Sequence, residues 1–498
     1  MGSESISMTS LTAECQPFGV EPLPGFEDLV HKQCEECELW LANPLGHLQS
    51  LVSEPKSLKS RHVEQTVERW NSGAKSGCIL CGLVTKLCPD IEQDQNLRHS
   101  NLVQFRISPK REDFPHCIRA TGYDLRENLR NKLWEVEFYA TQDTQNPLPG
   151  LPLRRDLALQ FGSKQCLNLI QGWLHECKTH HNSQGCSIHN ESRLPTRILD
   201  IGSINPKLVA TSDECGYFVA LSHCWGNCTS SIQPPRTLHS NFEEHCKSGV
   251  PEACLSPSFR DAIKVSRYLG YSYMWIDSLC IIQDDTEDWE RESGLMATVY
   301  GNADLVIGAT SVADGSFGFL GRRHEYFEGT VNLAARTGPQ ETSWVVCYRS
   351  TMEGPLESRA WAYQERVLAR RFVSFGIREV CWECTSRLEC ECFTSHDSQI
   401  HSEILTTRNV QDITNTRLLG AWRRNVVEPY SKRQLTKSSD RLVALSAVAF
   451  EFSKKLSDQY LAGIWRADLE SRGLLWLCIE AKGVIPGAPS WSWASVQG

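Results

Sequence analysis

The stretch Tyr217-Phe218-Val219-Ala220-Leu221-Ser222-His223-Cys224-Trp225-Gly226 decides how the rest of the chain is read. Its first six residues form a short run of strand-forming side chains, which Gly226 and Asn227 then break with a turn. Downstream, Ser256 is placed to cap a helix and Pro257 suits its first turn. Phe259, Ala262, Ile263, Ser266 and Leu269 mark one face of that helix, and Gly270 stops it. Tyr273-Met274-Trp275-Ile276-Asp277 is a second buried strand that ends on a carboxylate. Asp284 and Asp285 introduce another helix, with Trp289, Glu292, Met296 and Val299 along one face and Gly301 near its end. A third apolar run, Ala303 to Ala309, finishes in Thr310-Ser311. The pattern is β-α-β-α-β.

Short apolar strands joined by helical crossovers pair in parallel, with helices packed on the faces of the sheet. The expected fold class is therefore α/β, a central parallel sheet with flanking helices. Ligands bind such sheets outside the carboxyl ends of the strands. Three strand ends deliver Ser222-His223-Cys224-Trp225, Asp277-Ser278 and Thr310-Ser311 to that place.

These residues also carry a family resemblance. Ala220-Leu221-Ser222-His223-Cys224-Trp225-Gly226 resembles the first signature of the fungal heterokaryon incompatibility (HET) domain. Trp275-Ile276-Asp277-Ser278-Leu279-Cys280-Ile281-Ile282-Gln283-Asp284-Asp285 resembles the second, continued by Trp289, Glu292, Met296, Tyr300 and Ala303. Arg359-Ala360-Trp361-Ala362-Tyr363-Gln364-Glu365-Arg366 is similar to the third. The resemblance covers roughly 217–385, with weaker echoes at Asp440-Arg441-Leu442 and Ala488 to Ser495. It implies a role in fungal non-self recognition and regulated cell death, and a fold distantly like TIR domains, some of which cleave NAD. It also implies further chain beyond Gly498, so the family's usual end is expected to be cut short here.

Under that resemblance, NAD is the substrate to weigh. Glu292 lies three residues after Trp289 and four before Met296, on the apolar helix face, where a carboxylate must be paired, hydrogen-bonded or protonated. It is the catalytic candidate, a group able to stabilise positive charge on the ribose as nicotinamide leaves. The alternative is an ion pair with an arginine such as Arg260 or Arg359 that only holds the domain together. Ser222, Trp225 and Asp277 are the candidates for binding NAD. Trp225 offers a stacking ring or a core side chain, and Asp277 a partner for a ribose hydroxyl or a cap for the next turn. His223 and Cys224 are neighbours on an extended chain and point to opposite sides, so they cannot act as a nucleophile–base dyad. A non-enzymatic alternative needs the same sheet: a signalling module that assembles with itself or with other signalling proteins.

Composition bounds the remainder. The chain has 498 residues and a formal net charge of -9 without a long Lys/Arg run, which argues against a nucleic-acid surface. No apolar stretch approaches bilayer length, and Met1 to Cys15 lacks the apolar core of a signal peptide, so a cytoplasmic location is expected. The 22 cysteines are then read as reduced core thiols, metal ligands or reactive groups.

Cys34-x2-Cys37 and Cys78-x2-Cys81 supply four thiolates for a structural zinc, or are buried free thiols. Cys177, His180 or His181, Cys186 and His189 form a mixed cluster that suits zinc or is a polar loop. Cys381, Cys384, Cys390 and Cys392 are read as core packing. The expected organisation is a flexible segment at 1–30, an α+β region at 31–200, the HET domain at 201–385 and a mainly helical region at 386–498.

Overall fold

Four strands open the described part of the chain: β1 (Arg61–Thr66), β2 (Asn101–Ser108), β3 (Cys117–Asp124) and β4 (Asn131–Thr141), paired antiparallel in chain order. The computed structural model describes residues 61–75, 101–108, 117–124, 131–141, 153–396 and 414–497, apart from 156, 182–185, 187–190, 227–233, 324–327, 338–339, 351–353, 470, 479–480, 482 and 486. Residues 1–30 and all of Cys34, Cys37, Cys78 and Cys81 lie outside the described residues.

β5 (Leu153–Arg154) adds to β4, and the helix Lys164–His180 follows, capped by Ser163. β6 (Ser192–Arg193) precedes a hairpin of β7 (Arg197–Asp200) and β8 (Lys207–Ala210), and β9 (Cys215–Gly216) returns to pair with β6. The decisive stretch supplies β10 (Val219–Ser222), followed by β11 (Tyr273–Trp275) and β12 (Leu305–Gly308). β10 lies between the other two and is parallel to both. Phe218, Val219, Ala220 and Leu221 are fully buried, which is why the run is continuously apolar rather than alternating.

The crossovers form as their caps dictate. Helix Pro257–Tyr268 begins at Ser256, whose hydroxyl accepts from the Phe259 amide at 3.3 Å. Helix Thr286–Asn302 begins at Asp285, whose carboxylate accepts from the Asp288 amide at 3.0 Å. Each buried large apolar side chain on these faces is worth about 1.5–3 kcal/mol against exposure.

The sheet is mixed, which corrects the all-parallel expectation. After β13 (Glu328–Thr337) and β14 (Gln340–Ser350), the chain returns through helix Ala360–Leu368 to β15 (Arg371–Phe375), parallel to β12. β16 (Val380–Cys384), β17 (Leu388–Cys390) and β18 (Phe393–His396) then fold back antiparallel. The described order is β18-β17-β16-β15-β12-β10-β11-β7-β8. A parallel pair needs a crossover of a dozen or more residues. The links 376–379 and 201–206 are too short for one, so both flanks are hairpins. β14 also pairs with β4, so the β13–β14 hairpin completes the first sheet rather than the central one.

The C-terminal part packs Leu418, Trp422, Val448, Phe452, Trp465 and Trp493 around Ala360, Tyr363, Val367 and Leu368 of the preceding helix. In the region expected to be mainly helical, the described residues of 465–478 hold a single helical turn, Arg466–Leu469, after which the Gly473 amide donates to the Asp468 carbonyl at 2.7 Å. Trp493–Ser495 is a 3-10 turn held by the Ser492 hydroxyl, which accepts from the Ala494 amide at 3.0 Å. Among the described residues, no helix is long and apolar enough to cross a membrane.

Candidate functional site

The ends of β10 and β11 carry a closed polar cluster. His223 Nε2 lies 2.9 Å from Asp277 Oδ1, and Trp225 Nε1 donates to Asp277 Oδ2 at 2.8 Å. The Ser278 amide also donates to Asp277 Oδ1, at 2.7 Å. The His223 and Trp225 rings lie nearly parallel, with centroids 6.4 Å apart, and His223 meets the edge of Phe259 at 4.9 Å. Arg359, just before helix Ala360–Leu368, donates to the His223 carbonyl. From the same helix Glu365 accepts a hydrogen bond from the Ser222 hydroxyl.

The two carboxyl groups are pushed in opposite directions. Burial alone would raise Asp277, but the facing His223, the hydrogen bonds from His223 and Trp225, and Arg359 hold it below the usual carboxylate range. Glu365 is only 6% exposed, and burial drives its carboxyl up to about 7. The Ser222 hydrogen bond opposes that rise, while the charge of Asp277 adds to it. Tyr300 donates to the Leu221 carbonyl at 3.1 Å, and burial, followed by the charge of Glu365, holds its hydroxyl well above the usual tyrosine range. The arrangement is one acid and one anion, held apart in affinity for a proton.

Cys224 packs against Leu356 and Ala362, and burial pushes its thiol up to about 11 against the opposing influence of Arg359. Such a thiol is a packing group, as the opposite orientation of neighbours on a strand requires.

The candidates divide in two. Ser222, Trp225 and Asp277 come together at the strand ends, with His223, Arg359 and Glu365. Glu292 is 3% exposed and sits with a different group, Arg291 at 3.3 Å and Arg197 at 3.8 Å. Arg197 also pairs with Asp288 and donates to the Cys280 carbonyl at 2.7 Å. The arginines named from sequence, Arg260 and Arg359, are not the ones paired with Glu292. Register explains it: β7 runs antiparallel to β11, so Arg197, which opens β7, arrives beside the carboxyl end of β11. The sequence assigns Glu365 no role, and Arg359 only that of a possible ion-pair partner for Glu292, although both stand in the third block quoted above. Their role depends on where helix Ala360–Leu368 docks.

Residues 218–365 match the family model described as Heterokaryon incompatibility protein (HET). The chain carries a HET domain. No curated protein and no solved structure matches it. The HET segment runs from the residue before β10 through Glu365, and so contains every member of the strand-end cluster. β7 and β8 lie before it in sequence, and β15 to β18 after it, yet all belong to the same sheet.

Two groups of described residues have the composition and closeness to hold a metal ion. One is Cys177, His181, Cys186 and Cys384, all buried; the other is Glu379, Cys390 and Cys392. The first revises the sequence grouping. His180 is exposed and bound to Thr179, whereas His181 turns inward, and Cys384 leaves the group of Cys381, Cys390 and Cys392 to join it. His189 lies outside the described residues.

Proposed function

We propose that this protein acts in fungal heterokaryon incompatibility, coupling recognition of non-self to regulated cell death in the cytoplasm. The observation that carries this reading is convergence. Ser222, His223 and Trp225 from the first block, Asp277 from the second, and Arg359 and Glu365 from the third meet in one hydrogen-bonded cluster. Three separated blocks that interlock in this way are under one structural demand, and that demand belongs to the HET domain as a unit.

For the output we favour assembly, with itself or with other signalling proteins. In the cluster Ser222, His223, Trp225, Asp277 and Glu365 bond to one another, and Glu292 is enclosed with its charge met by arginines. Catalysis at Glu292 requires an open approach to that carboxylate, which its 3% exposure argues against. NAD cleavage is the second reading, favoured by one feature: Asp277 keeps 18% of its side chain exposed beside the partly exposed Trp225. There the anion would face a ribose developing positive charge, and the Trp225 ring would face a base.

The deciding experiment measures nicotinamide release by the purified full chain, concentrated enough to self-associate, together with a cell-death assay in a filamentous fungus. Death without nicotinamide release supports assembly. Nicotinamide release that falls on the order of 100- to 1,000-fold in Asp277→Asn, and not in Glu292→Gln, supports cleavage at the strand ends. The reverse pattern would restore Glu292 as the catalytic group. Expression without any death response, under conditions that trigger incompatibility, would overturn the proposal as a whole.

A further inference from the structure

Apart from the strand-end cluster, three thiols and an imidazole converge in the core. Cys177 comes from the last turn of helix Lys164–His180, His181 from the residue that ends it, and Cys186 from the segment beyond. Cys384 comes from the end of β16, some 200 residues later. Their ligand atoms all lie within 4.8 Å of one another, and all four residues are buried. We propose that Cys177, His181, Cys186 and Cys384 form a structural zinc site that pins helix Lys164–His180 to strand β16.

Geometry and surroundings both favour a bound metal over packing alone. In a tetrahedral site with Zn–S near 2.3 Å and Zn–N near 2.0–2.1 Å, a sulfur and a nitrogen sit about 3.5 Å apart. His181 Nδ1 and Cys384 Sγ are 3.5 Å apart. The other ring nitrogen of His181, Nε2, is buried without a hydrogen-bond partner among the described residues. As an ordinary core histidine the ring would therefore be poorly satisfied, since buried polar groups are normally paired. None of the three cysteines is joined in a disulfide.

The surrounding donors suit thiolates rather than thiols. Arg371 Nε donates to Cys177 Sγ at 3.2 Å, and the Arg387 amide donates to Cys384 Sγ at 3.3 Å. The hydroxyls of Thr385 and Ser386 lie 2.8 and 3.2 Å from Cys186 Sγ. Outer contacts of this kind orient metal ligands and tune their charge.

The charges also balance. A zinc dication with three thiolates and a neutral imidazole carries one net negative charge, and Arg371, only 1% exposed, supplies one positive charge beside it. The other anion at Arg371, Asp304, is met independently by Lys178. Binding would release the three thiol protons to solvent, so occupancy should weaken in acid.

The probe is zinc itself, measured by elemental analysis of the full-length chain. Because Cys34, Cys37, Cys78 and Cys81 compete as ligands, the reference chain is C34S/C78S. The expected result is about one equivalent of zinc in the reference, lost when Cys384→Ser or His181→Ala is added and retained with His181→Cys, which replaces one ligand by another. A reference chain that contains no zinc, or a Cys384→Ser chain that keeps all of it, would overturn the site. If Cys384→Ser does not fold, cobalt substituted into the folded reference chain decides. Tetrahedral d–d bands with thiolate-to-cobalt charge transfer support the site, and an octahedral spectrum or none rejects it.

Discussion

His223 and Asp277 lie 2.9 Å apart across the ends of two adjacent parallel strands, which makes Asp277 the point where the first two sequence blocks are joined. That one carboxylate also takes Trp225 and the Ser278 amide. Asp277→Asn keeps the size but replaces one acceptor oxygen with a donor that must face a donor. The expected loss is about 1–3 kcal/mol of stability at neutral pH, read as a lower denaturant midpoint at unchanged slope. The acid side gives an independent check. Since the folded-state affinity of Asp277 for a proton is depressed, its contribution is present above the unfolded value near 3.8 and disappears as pH falls through the folded one. The Asn variant should lack that component of acid unfolding.

Glu365 carries the opposite sign. Its carboxyl is raised from 4.5 to about 7, so between those values the folded state holds a proton that the unfolded state has lost. Stability must then fall as pH rises across that window, by about 3 kcal/mol if this group acted alone. Glu365→Gln mimics the protonated form and still accepts from Ser222. It should flatten the pH dependence between 4.5 and 7 and raise the midpoint above pH 7. Urea titrations of parent and variant at several pH values measure this; parallel curves would refute the buried acid.

Glu292 should matter for stability first. Glu292→Ala leaves Arg291 and Arg197 with one fewer buried acceptor, although Asp288 still holds both. A loss of about 1–3 kcal/mol is expected in chemical unfolding. A variant as stable as the parent would show that the enclosure of this carboxylate contributes nothing to the fold.

Two glycines give opposite outcomes from the same substitution. A Cβ on Gly354 would stand 2.1 Å from the Thr310 carbonyl oxygen, and neither backbone can retreat easily. Gly354→Ala should therefore cost about 1–3 kcal/mol, and it should also disturb Arg359, which closes the 3-10 turn that follows. Gly294, exposed within helix Thr286–Asn302, has nothing within 4 Å of its added methyl. There alanine should stabilise by about 0.5–1 kcal/mol through helix propensity. Thermal unfolding of the pair checks both signs.

By itself the sequence determined the local elements and the centre of the sheet. Continuous burial of Phe218 to Leu221 wrote an unbroken apolar run, and Ser256 and Asp285 wrote helix starts, because caps and periodicity are satisfied by residues only a few positions apart. It also gathered Ser222, Trp225 and Asp277, since strand ends in a parallel sheet share one edge.

The tertiary structure decided what depends on contacts between distant segments. It determined that β14 leaves the central domain to pair with β4, that Arg197 reaches Glu292 and Asp288, and that Glu365 meets Ser222 143 residues away. It brought Cys384 to Cys177, His181 and Cys186, although spacing in the sequence grouped it with Cys390 and Cys392. The reason is physical. Periodicity tells a side chain which face of its own element to occupy, but the partner on the other side of that face is chosen by how whole elements dock. Docking is set by the summed burial of many residues, and no single residue's position along the chain encodes it.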